Sequence, residues 1–222
     1  MRALSELQRY VMHGEDADVG RIEDVYFDDH YWVVRHLVVD TRHWLRNRRV
    51  LIPPAVVQTI DDAHRKLVVS LTRSEVERSP TIDTAKPVSR QHHVSLYSYF
   101  GFPYDWTGPA VRWDPLSGWW RGDPHLRSAQ AVTGYDVEGP DGRIGQAEDF
   151  VLDLESWAIR FVVVRAGHWR DAHRVLISPD TIARVSWEGR VLTVVLPETA
   201  LRHAPGHPAM PTVDRNANHS RG

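Results

Sequence analysis

Two histidine–tryptophan pairs, His43-Trp44 and His168-Trp169, stand 125 positions apart, as do two glutamate–aspartate pairs, Glu23-Asp24 and Glu148-Asp149. Imidazole serves as base or metal ligand near neutral pH, and paired carboxylates do acid–base work. The carboxylates are adjacent in sequence, and neighbours on a strand point to opposite faces. One of each pair is therefore expected to meet Arg35 or Arg160 across a sheet, with the other solvated. Neither histidine has a second ligand at metal spacing within its own copy. The expected arrangement is a His bonded to a loop carbonyl and a Trp capping the mouth of the domain, and these are the first residues to mutate. His92 and His93 diverge on an extended chain. His203, His207 and His219 lie in a tail of Pro, Gly, Asn and Arg.

Arg42, Arg46, Arg48 and Arg49 form a basic cluster that could hold phosphate or an acidic partner. The second copy keeps Arg170 and Arg174 but adds Asp171, which points instead to a solvated hairpin rim. No Gly-rich phosphate loop, nucleophile elbow or Ser/His/Asp spacing stands out. The sequence is thus expected to have no catalytic residue, no metal and no cofactor.

These residues belong to a duplicated stretch. Gly20 to Pro54 reads GRIEDVYFDDHYWVVRHLVVDTRHWLRNRRVLIPP; Gly145 to Pro179 reads GQAEDFVLDLESWAIRFVVVRAGHWRDAHRVLISP. The alignment needs no gap. It carries on through Tyr10 and Tyr135, Val19 and Ile144, and Leu71 and Leu196. Each copy spans roughly 65–70 residues, the size of a small all-β domain. Gly20, Asp24, Trp32 and Arg35 recur as Gly145, Asp149, Trp157 and Arg160. One difference is plain: Asp40-Thr41 becomes Arg165-Ala166.

The periodicity is that of strands. Leu67, Val69 and Leu71 alternate, as do Leu192, Val194 and Leu196; Val19, Val25 and Phe27 can share a face. Leu37-Val38-Val39 and Phe161 to Val164 are apolar on both faces, which suits strands covered twice. Turns are expected at 28–30, 46–48, 61–63 and 188–189. A short helix after Thr72 should stop at Pro80. So many short strands in so few residues should curl into a small barrel that hides its edges. The expected class is mainly β: two tandem small antiparallel β-barrels of about six strands each, with short helices and an aromatic-rich connecting segment. The expected domains are 1–80, a connector at 81–127, 128–200, and a disordered tail at 201–222.

The connector holds Tyr97, Tyr99, Phe100, Trp106, Trp119 and Trp120. Such aromatic density argues for packing on the barrels, with a partner or self-association surface as the sharper reading. A net charge of −2 argues against nucleic acid. The chain has no cysteine, no run long enough for a membrane span and no secretory h-region, so a soluble cytoplasmic protein is expected.

Gly20 through Asp28, Trp32 through Thr41 and Arg49 through Pro54, with their counterparts Gly145–Asp153, Trp157–Val164 and Arg174–Pro179, resemble the PRC-barrel family. That family is named for the cytoplasmic domain of the photosynthetic reaction centre H subunit, and a related barrel ends the ribosome maturation factor RimM. The resemblance implies a β-barrel of about six strands per copy. The H subunit has one barrel and a membrane helix, and RimM has a different N-terminal domain, so no functional residue carries over. The expected function is a non-enzymatic interaction or scaffold module of pseudo-twofold symmetry. Its protein partner is unknown, with homo-oligomers and association with a membrane complex left open. One alternative is an H-subunit-like role in reaction-centre or electron-transport assembly. Another is a small-ligand site between the barrels, near His43, His168 and the tryptophans. Fold likeness alone does not decide among these.

Overall fold

The apolar runs fold as strands, and their pairing departs from two self-contained barrels. The computed structural model describes residues 1–45, 48–79, 96, 98–101, 125–167 and 172–197. The first repeat supplies β1 (Arg2–Ala3), α1 (Leu4–Leu7), β2 (Val11–His13), β3 (Asp18–Asp28), β4 (Val33–Asp40), β5 (Arg49–Ile52), β6 (Val57–Asp61), β7 (Lys66–Val69) and α2 (Arg73–Arg78). The second supplies β8 (Leu126–Ser128), α3 (Ala129–Val132), β9 (Asp136–Gly139), β10 (Gly142–Leu152), β11 (Ile159–Ala166), β12 (His173–Ile177), β13 (Ile182–Ser186) and β14 (Val191–Val194).

Each sheet has seven strands, in the orders β5-β4-β3-β2-β7-β6 and β12-β11-β10-β9-β14-β13. The seventh strand of each comes from the other repeat. β8 pairs with β3, and β1 pairs with β10. The expectation that each copy closes by itself is therefore corrected. So is strict antiparallel order, because β2 runs parallel to β7 and β9 parallel to β14. The sheets do not close by hydrogen bonds; β5 and β6 are opposite ends of the ladder. A 3₁₀ turn at Pro54–Val56 links these two end strands, which obliges the sheet to curl. A matching turn at Pro179–Thr181 does the same in the second repeat.

The expected faces are occupied. Leu67, Val69, Leu192 and Val194 are buried in the core. So are Val19, Ile22, Val25 and Phe27, although strict alternation along β3 cannot place all four inward. Register shifts at Met12/His13 and between Ile22 and Asp24 re-phase the strand. The corresponding shift between Ala147 and Asp149 re-phases β10. One continuous core runs from Leu4 through Val194, so both repeats share it.

Gly20 is fixed by crowding. A Cβ there would lie 2.2 Å from the Asp40 carbonyl oxygen, and one at Gly145 would lie 2.1 Å from that of Arg165. Only glycine permits so close a backbone approach. The helix expected after Thr72 is α2, whose capping box joins Thr72 and Glu75 in both directions. The lead-in before β3 forms two short strands, β1 and β2, and one helical turn, α1.

Candidate functional site

The best-built polar site is the joint where each repeat's leading segment crosses to the other. Residues 2–7 lie on β10, with Arg2 opposite Leu152 and Ala3 opposite Val151. Residues 126–132 lie on β3, with Arg127 opposite Phe27 and Ser128 opposite Tyr26. These registers match at the 125-residue offset, so the crossing is reciprocal.

A carboxylate, buried at Asp24 and half-buried at Asp149, holds each crossing segment. Asp24 Oδ1 accepts the Gln130 N–H at 2.9 Å and its own neighbour's, Val25, at 2.8 Å; Oδ2 accepts the Ser128 hydroxyl at 2.5 Å. Asp149 Oδ1 accepts the N–H groups of Ser5 at 3.2 Å and Phe150 at 2.8 Å, and Oδ2 accepts the Ser5 hydroxyl at 2.5 Å. The Ser128 hydroxyl also accepts the Ala131 N–H, capping α3. The bulges explain the aim: Glu23 and Glu148 are the extra residues opposite a single step of β4 and β11. The following aspartate is thereby turned toward the crossing segment. Burial pushes both Asp carboxyls above the usual range, opposed by these hydrogen bonds.

The expected pairing of a Glu-Asp carboxylate with Arg35 or Arg160 is corrected here. Arg35 meets Asp28 at 3.1 Å, and Arg160 meets Asp153 at 2.8 Å. Glu23 meets Arg49 at 2.6 Å, and Glu148 meets Arg174 at 2.7 Å. Of the basic cluster, Arg42, Arg48 and Arg49 are engaged, while Arg46, and Arg170 and Asp171 of the second repeat, lie outside the described residues. Arg42 binds Asp40, whose carboxyl falls to about 2, first through that side-chain bond. Arg48 donates to the carbonyls of Glu77 and Ser79. The Asp40 that the second repeat lacks thus serves a loop ion pair.

Aromatic rings fill the space between the repeats. Trp32 stacks on Phe27 at 5.3 Å, and Phe27 meets Phe150 at 5.5 Å. Trp32 and Trp157 are buried, and both adopt left-handed backbone, with φ of 54° and 57°. Their carbonyls receive N–H groups across the joint: Val34 donates to Trp157, and Ile159 to Trp32. Neither tryptophan's spacing announces this role.

Of the His-Trp pairs, only the first is described; His168 and Trp169 lie outside the described residues. Trp44 donates its indole N–H to the Val19 carbonyl at 2.6 Å, under the Arg73 guanidinium, and packs on the core. His43 is exposed in the turn. In the connector, Tyr97, Trp106, Trp119 and Trp120 lie outside the described residues. Phe100 packs with Leu96 against Val38 and Leu51 on the outer face of the first sheet. The Tyr99 hydroxyl donates to the Glu75 carbonyl at 2.7 Å.

A cluster that sequence reasoning missed sits at the β3–β4 turn. Asp29 meets His125 at 2.9 Å and Arg127 at 2.8 Å, and the His30 and His125 rings are 5.7 Å apart. Burial raises the Asp29 carboxyl, opposed by the hydrogen bond to His125 and by the Arg127 guanidinium. The cluster ties β8 to the first repeat. Its halves are 96 residues apart in sequence, which is why spacing did not reveal it. Among the described residues, no group of three or more His, Cys, Asp or Glu is placed to hold a metal ion, and no helix is long and apolar enough to cross a membrane.

The family model of the PRC-barrel domain matches residues 6–76. The match covers the first repeat. The second is tied to it by the internal duplication and by the same strand order. No curated protein matches this chain.

Proposed function

Because residues 6–76 are a PRC-barrel domain, we propose that this chain is a non-enzymatic protein-interaction or scaffold module, acting in the cytoplasm as one body made of two interlocked repeats. The observation that carries this reading is how the duplicated polar residues are used. Asp24 and Asp149 hold the crossing segments, and Arg35 and Arg160 hold the β-hairpins that meet at the joint. Their repetition is accounted for by architecture, so it does not require repeated chemistry. A small-ligand site between the repeats would compete with Phe27, Trp32, Phe150 and Trp157 for the same space.

Among the described residues Tyr31, Tyr99 and Trp187 are exposed aromatics, and of these Tyr31 and Trp187 are offered here as side chains for a partner. The test is affinity capture with the wild-type chain alongside Tyr31→Ala and Trp187→Ala variants, with a thermal-shift screen of metals and metabolites. Capture lost on substitution, with no small-molecule shift, supports the scaffold reading. Saturable stabilisation by a metabolite, or turnover of one, overturns it. Recovery of reaction-centre or electron-transport components would move the assignment to the H-subunit-like alternative.

A further inference from the structure

We infer that the outer face of the second sheet docks an acidic amphipathic segment of a protein partner, with apolar side chains on Phe161 and Leu176 and a carboxylate on Arg165 and Arg174. This deepens the interaction-module reading, on which it rests, by naming a face and the chemistry of what binds there.

The first repeat shows what such a face accepts. On the outer side of its sheet, Asp24, Val38 and Leu51 form one cross-strand row, and Tyr26 and His36 the next. Leu96 and Phe100 pack on Val38 and Leu51. The Phe100 N–H donates to the Leu96 carbonyl at 3.1 Å, so these two side chains stand one helical turn apart. Leu51 is 1% exposed and His36 0%. The second face has the same rows with different residues. Asp149, Val163 and Leu176 form one, and Val151 and Phe161 the next. Val151 and Phe161 replace Tyr26 and His36, so this face is the more apolar. Val151 and Val163 are buried, but Phe161 and Leu176 are only half-buried, where their counterparts are closed.

The neighbouring row sets the sign of the partner. In the first repeat it is Arg21, Asp40 and Arg49, opposite charges side by side. In the second it is Gln146, Arg165 and Arg174. Like charges directly opposite each other on a sheet are destabilising. Both arginines are exposed. The carboxylates of the face are already committed: Glu148 accepts two bonds from Arg174, each at 2.7 Å, and Asp149 holds Ser5. Among the described residues, Arg165 donates to the neutral amide oxygen of Gln146 at 3.1 Å. A carboxylate brought in beside Phe161 and Leu176 would meet the Arg165 fork and offset its repulsion with Arg174. A basic segment would add a third positive charge to the row. A helical segment can present such a carboxylate next to two large apolar residues one turn apart, which is how an amphipathic helix reads an apolar surface.

The probe is a labelled helical peptide of about 15 residues, long enough to hold a helix, with leucine and phenylalanine one turn apart and glutamates around them. Its twin carries lysine in place of each glutamate. Binding to the full chain is read by fluorescence anisotropy. The glutamate peptide should saturate the wild type, and the lysine peptide should bind about tenfold more weakly or worse. Arg165→Asp restores the charge found at Asp40. It should weaken the glutamate peptide by about tenfold while the thermal midpoint holds or rises, a split that a merely structural arginine would not produce. Leu176→Ser should weaken binding several-fold. Arg184→Asp makes the same charge change on β13, at the other end of the ladder, and should leave binding as it was. Equal binding of the two peptides overturns the proposal, as does an Arg184→Asp effect as large as that of Arg165→Asp. Failure of the wild type to bind, because a segment of its own chain or a second copy fills the face, also overturns it. The affinity capture described above keeps the two readings apart. Capture that survives while the peptide fails strikes this face and leaves the interaction module standing; turnover of a metabolite strikes the module itself.

Discussion

Asp24 and Asp149 are single residues on which two distant segments depend. Replacing Asp24 with alanine strands the Gln130 and Val25 N–H groups and the Ser128 hydroxyl. The expected loss is about 3 kcal/mol in urea unfolding. Asparagine keeps a carbonyl for both N–H groups and should cost far less. The pH dependence separates charge from shape. Burial raises the folded-state values of both carboxyls. Their stabilising contribution is therefore complete below the unfolded value of about 3.9 and is lost as pH rises through the raised value. Relative to the Asp24→Asn/Asp149→Asn double variant, the wild type should lose stability as pH climbs through that window; a flat difference would remove the argument. Asp40 has the opposite sign, losing its contribution as pH falls toward about 2. Gly20→Ala is a purely steric test. With the Asp40 carbonyl oxygen 2.2 Å from the new Cβ, a loss of about 3 kcal/mol should appear as a lowered urea midpoint. The duplication marked Asp24 and Gly20 as important but not why. A bulge at Glu23 redirects Asp24, and its serine partner is 104 residues away, so no local pattern contained the answer.

At the scale of elements, strand periodicity was the readable part. Leu67 and Val69 alternate as written, and Thr72 with Glu75 spells the cap of α2. Strand partners were less readable. β1 and β8 are only two and three residues long, too short for a period. The lead-in segments look like the start of their own repeats, because alternation says which face is apolar and not which sheet receives it. Deleting residues 1–7 tests the consequence. Amide hydrogen exchange should quicken at Phe150, Val151 and Leu152 of β10, where β1 and the Ser5–Asp149 contact are lost. The paired stretch of β3, Tyr26 to Asp28, keeps β8 and should change little. Equal change in both strands would mean that the deletion acts by general destabilisation.

At the scale of the molecule, the doubled architecture was legible from one constant offset, and the joint was not. Two aromatic hairpins, one buried core and two reciprocal crossings bind the repeats together. The chain should accordingly melt as a unit, with calorimetric and van't Hoff enthalpies in agreement. Two resolved transitions would show the halves to be independent after all. The crossing also constrains how such a protein can change over generations. A substitution in the opening residues is felt in the later half, and one at 126–132 in the earlier half, because each segment packs on its sibling repeat. A recombination that carried off one repeat alone would deliver a unit missing its seventh strand and holding a spare one. Neither half is thus a finished sheet without the other.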